Sequence, residues 1–98
     1  MADIQSVLDL SREADDLLRL LYKEYLGRRG SGVIMSEAFS IGDINYICGN
    51  LTSDLSPDEI KKASDELYAH NLIFKNLFEY IALKTEFVTF CENNHIKV

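Results

Sequence analysis

Tryptophan is absent from this 98-residue chain, proline occurs once and histidine only twice. A single proline and five glycines leave no low-complexity linker, no collagen-like repeat and no extended polyproline segment. Two cysteines, Cys48 and Cys91, are too few for a disulfide framework. Each sits among apolar neighbours in an expected helix, so two reduced, buried thiols are expected and one disulfide is the alternative. His70 and His95 are isolated, with only Glu66 and Glu92 at helical spacing before them, so no metal site is expected. Gly27, Gly30 and Gly32 follow a helix and precede no Lys-Ser/Thr pair, which excludes a phosphate-binding loop of that type. No apolar run reaches roughly 18 residues, and Met1-Ala2-Asp3-Ile4 opens no basic region followed by an apolar core. A cytoplasmic protein without a membrane segment is the expectation. Cations are also scarce. Ten Lys and Arg against 16 Asp and Glu leave a net charge of −6, which opposes non-specific attraction to phosphates.

What is present suits one compact domain. Apolar residues make up 47% of the chain, enough for one modest core and not for two. The pattern is α+β and mostly helical. Ile4, Val7, Leu8 and Leu10 begin a helical spacing, and Ser11 is placed to cap a fresh helix over about 12–28. Within it Ala14, Leu17, Leu18, Leu21, Tyr22 and Tyr25 recur at helical spacing, and Asp15 and Arg19 form a favourable i,i+4 pair. With Leu20 and Leu26 the apolar positions span more than one stripe, so a partner subunit, and hence a homodimer, is expected to cover the second side. The three glycines end this helix, with Arg28 and Arg29 in its last turn.

Val33 to Ile41 is ambiguous, since Val33-Ile34-Met35 and Phe39-Ser40-Ile41 each read as a short strand and Ser36-Glu37 opens a single turn. The strand is placed at Phe39 to Ile41. Gly42 or Asp43 then caps a second helix over about 43–51, and Thr52 to Leu55 turn the chain. Ser56-Pro57-Asp58-Glu59 is the clearest local signal. Ser56 and Glu59 suit a reciprocal capping box, and Pro57 occupies the first helical position. A third helix over 57–70 follows, with Ile60, Ala63 and Leu67 on one face and Asn71 suited to a left-handed end. Residues 72–84 read as two strands reversing near Lys75-Asn76. Thr85 caps a last helix over about 86–93, with Phe87, Phe90 and Cys91 on one stripe.

The stretches LSPDEIKKASDELYAHNLI at 55–73 and YIALKTEFVTFCENN at 80–94 resemble the winged helix-turn-helix superfamily, in the style of small MarR- or PadR-like bacterial regulators. The resemblance spans about residues 12–94. It implies a three-helix core, a short β-hairpin wing over 72–84 and an added C-terminal helix. It further implies DNA binding through the third helix and dimerisation through terminal helices. Under that reading Lys61, Lys62, Arg28, Arg29 and Lys75 supply phosphate contacts.

The residues also support another reading. The outward positions of the third helix, with Glu59 added, carry two lysines against Asp58, Glu59, Asp65 and Glu66, a sum of 2 − 4 = −2. Helical pairing of Lys61 with Asp65 and Lys62 with Glu66 accounts for both lysines without DNA. The wing holds Lys75 beside an apolar pair, Leu77-Phe78, which suits protein contact. The remaining aromatics read as mainly core. Asp15-Asp16 and Asp58-Glu59 are read as helix-start charges and not as acid/base pairs, so no catalysis and no cofactor is expected. Two functions stand: a DNA-binding regulator, and a protein-interaction module on the same fold.

Overall fold

The computed structural model describes residues 10–51 and 54–93. The expected helical spacing over 4–9, the turn at Thr52-Ser53, Asn94 and the His95 tail lie outside them. Among these residues five helices and three strands follow in order: α1 Arg12–Gly30, α2 Met35–Ala38, β1 Ser40–Gly42, α3 Ile44–Asn50, α4 Pro57–Ala69, β2 Ile73–Lys75, β3 Ile81–Leu83 and α5 Thr85–Asn93. The strands form one antiparallel sheet of order β1-β3-β2. Among the described residues no helix is long and apolar enough to cross a membrane.

Helix starts follow their local chemistry. The Ser11 hydroxyl accepts from the Ala14 amide (3.2 Å) and Asp43 accepts from the Tyr46 amide (2.8 Å). At α4 the Ser56 hydroxyl accepts from Glu59 N–H while the Glu59 carboxylate accepts from Ser56 N–H (2.8 Å), closing the capping box. Helix α5 begins at Thr85 itself, one residue earlier than expected, and the Val88 amide donates to the Lys84 carbonyl.

Two ends differ from expectation. Helix α1 runs past Gly27 to Gly30, because the amides of Ser31, Gly32 and Val33 continue to find carbonyls at residues 27–29. Gly32, at φ 93°, is the glycine that turns the chain out. Helix α4 ends as its sequence suggests: Asn71 takes φ 65° and the Leu72 amide returns to the Leu67 carbonyl. The ambiguous stretch resolves as a turn of helix at Met35–Ala38 and a strand at Ser40–Gly42, so Val33 to Met35 is not a strand. The strand also departs at its end. Gly42 sits at φ 145°, where an added Cβ would lie 2.7 Å from the Tyr46 ring, so only glycine fits beside α3.

One core serves the described residues. Leu17, Leu18, Leu21, Tyr22 and Tyr25 of α1 are buried together with Ile47, Ile60, Leu67, Ile73, Ile81, Leu83 and Val88. Tyr22 meets Phe87 of α5 edge to face and Tyr25 stacks on Phe39. Most apolar positions of α1 are therefore covered by this chain itself, whereas Leu20 is half-buried and Leu26 stays 40% exposed.

Candidate functional site

The reversal between β2 and β3 is longer than expected and is built around Asn76. Its side-chain oxygen accepts from the amides of Phe78 (2.8 Å) and Tyr80 (3.0 Å), and its own amide donates to the Tyr80 carbonyl (3.2 Å). Glu79 completes the turn at φ 58°. Asparagine suits this position because its short side chain can replace a backbone carbonyl. The second strand consequently starts only at Ile81.

This turn holds Leu77 and Phe78 out into solvent, 97% and 84% exposed. Register extends the apolar surface from the tip onto the sheet. Phe74 pairs with Ala82 across β2 and β3, and Tyr80 immediately precedes β3. Phe74 is 57% exposed and Tyr80 42%. Both rings, read from the sequence as core, line the outer face instead. Lys84 stands over the Phe74 ring at 4.9 Å and donates to Asn71 Oδ1 (2.7 Å), which holds the ring's edge of the patch.

The cations expected to meet phosphate divide sharply. Lys75 is only 10% exposed, and its ammonium donates to the buried Ser64 hydroxyl (3.0 Å) and to the Asp65 carboxylate, with Glu79 at 3.4 Å. That charge is neutralised on the spot. Arg28 is also committed to the fold. Its Nε donates to Glu24 (3.0 Å) and its Nη2 to the Ile41 carbonyl (3.0 Å) and the Tyr46 hydroxyl (3.1 Å), while Nη1 reaches the Ser40 carbonyl. Burial works against its charge, but the bonds to Tyr46 and Glu24 outweigh it and hold Arg28 above its ordinary pKa. Both side chains are thus engaged with partners within the fold. Arg29 donates to the Val33 carbonyl (3.0 Å) and is otherwise exposed.

Lys61 and Lys62 remain on the outer face of α4. The helical pairs expected for them do not form. Lys61 approaches Glu79 (3.9 Å), Asp65 turns to Lys75, and Glu66 accepts from both the amide and the hydroxyl of Ser11 (2.7 Å each). Those two bonds, backbone first, draw the Glu66 pKa below its ordinary value. Lys62 lines a notch of about 380 Å³ with Ser11, Glu13, Glu59, Ala63 and Glu66. Of its three carboxylates Glu59 closes the capping box and Glu66 caps α1, so two are already in use.

Sequence reasoning missed Ser64, Asn76, Glu79 and the outward Phe74 and Tyr80. Only Asn76 carried a local signal, as a turn former beside the expected reversal. Cys91 is buried, and burial first and Glu92 second push its thiol up to about 11. Among the described residues no group of three His, Cys, Asp or Glu is arranged to hold a metal ion. No protein-family model, curated protein or solved structure matches the chain.

Proposed function

We propose that this chain is a winged-helix module whose work is protein–protein contact through its wing, the β2–β3 hairpin. The element order from α1 to β3 and the sheet order β1-β3-β2 support the winged-helix reading, with α4 as third helix and α5 as the added C-terminal helix. One observation carries the functional part. A hydrogen-bonded turn extends Leu77 and Phe78 into water while the lysine at its base is neutralised by Asp65 and Glu79. Exposing two large apolar side chains on an ordered turn costs solvation free energy that no contact among the described residues recovers. A wing that gripped phosphate would instead carry free cations at its tip.

The DNA reading draws on a separate observation: α4 leaves Lys61 and Lys62 exposed on one face. The two readings make opposite predictions. Immobilised full-length chain should retain protein from a native lysate, and the Leu77→Ser/Phe78→Ser variant should not. Labelled random-sequence duplex at low salt should stay unbound. Duplex binding that weakens steeply with salt and disappears in Lys61→Ala/Lys62→Ala would replace this proposal with the DNA reading.

A further inference from the structure

The wing patch is large enough, and locally neutral enough, to bind a copy of itself. Phe74, Leu77, Phe78 and Tyr80 together expose about 550 Å², taking roughly 200 Å² for each large side chain. Two such patches face to face remove at most about 1,100 Å² from water, in the range of weak or transient interfaces. The charge layout singles out this face. A chain of net −6 repels its own copy over most of its surface. Around the wing, however, Lys61, Lys75 and Lys84 stand against Asp65 and Glu79, a local sum of 3 − 2 = +1. The acidic surplus lies elsewhere, as on α1 and the start of α4, where Glu13, Asp15, Asp58 and Glu59 cluster at the helix N-termini.

We infer that two copies of this chain associate wing to wing about a two-fold axis, through Phe74, Leu77, Phe78 and Tyr80. This differs from dimerisation through the terminal helices, most of whose apolar residues are buried in the core. The Asn76 turn orders the tip before contact, so little conformational entropy is lost on association. The small area places the contact among weak, concentration-dependent associations. Because the approaching chains are both acidic, added salt should tighten the dimer several-fold, whereas salt weakens a contact with nucleic acid. This inference names the partner for the contact proposed above and rests on that reading.

Sedimentation of the purified full-length chain over a range of concentrations tests it. The mass should rise from 11.2 kDa towards twice that value, and more readily at 300 mM than at about 30 mM salt. Leu77→Ser/Phe78→Ser should remain monomeric with an unchanged circular dichroism spectrum, since both side chains stand clear of the core. Oxidised Phe78→Cys in a Cys48→Ser/Cys91→Ser background should form a covalent dimer. A wild-type chain monomeric to about 1 mM, or a dimer unaffected by the double serine variant, would overturn the inference. If the chain is monomeric yet retains a different protein that the double variant loses, the interaction reading stands and only self-association fails.

Discussion

At the scale of single residues, the charged side chains do more to hold this molecule together than to advertise a ligand. Glu66 is the clearest case. Its carboxylate receives the Ser11 amide and hydroxyl from a different helix, so it serves α1 as a cap delivered from α4. The sign of its pH dependence follows. A folded-state pKa below the unfolded value means the unfolded chain binds more protons, so this stabilisation is full above the unfolded pKa near 4.5 and is lost as pH falls through the lower folded value. Urea midpoints should therefore separate wild type from Glu66→Gln at pH 7 and converge as the pH falls below about 4.5. A gap of constant size would assign the effect to shape and not to charge. Tyr25 is the reverse case. It is buried, and its hydroxyl meets no partner in good geometry among the described residues. Burial and then Glu92 raise its pKa, while nearby Arg29 pulls the other way.

At the scale of elements, the junctions matter more than the elements. Arg28 joins three of them: it leaves the last turn of α1, meets the Ser40 and Ile41 carbonyls of β1, and reaches Tyr46 on α3 over whose ring its guanidinium lies at 5.7 Å. The Tyr46 hydroxyl closes the network by donating to Glu24 (3.1 Å). A lysine carries the charge without the planar fork, so Arg28→Lys should destabilise the fold by about 1–3 kcal/mol in urea titration. An unchanged midpoint would mean that water replaces those bonds at no cost. The hairpin works on the same principle in miniature. Lys75 ties its base to Ser64 and Asp65 of α4, Glu79 lies against both Lys75 and Lys61, and Asn76 shapes its tip. Anchored at the base and uncovered at the tip, it is a firm support for an apolar contact.

For the whole molecule, one core has to serve 98 residues, with α1 at its centre. Such a chain carries about 5–15 kcal/mol of net stability, so one large cavity is felt everywhere. Leu21 is fully buried, and Leu21→Ala should cost about 2–5 kcal/mol and lower the thermal midpoint in a single cooperative step. Loss of the α5 signal before the rest would indicate that the last helix folds separately. The whole-molecule charge then meets the wing. An acidic chain with an apolar, locally balanced hairpin face suits a protein partner, and its own copy is the partner proposed.

Short-range features were legible from residue order. The Ser56–Glu59 capping box, the left-handed end at Asn71, the burial of Leu17, Leu21 and Leu67, and the exposed Leu77-Phe78 pair were all readable. Each depends on neighbours within one or two turns, or on the alternation of a strand. Which charges would neutralise one another was not. Ser11 and Glu66 are 55 residues apart, Lys75 and Asp65 are 10 apart on different elements, and Arg28 reaches a carbonyl 13 residues on. Helical spacing proposed other partners for Lys61, Lys62, Asp65 and Glu66. Tertiary packing overrode them, because a carboxylate can satisfy an orphaned helix amide or a half-buried ammonium at greater gain than an exposed i,i+4 pair provides. Phe74 faces outward for a related reason, since strand register decides which side of the hairpin meets the core.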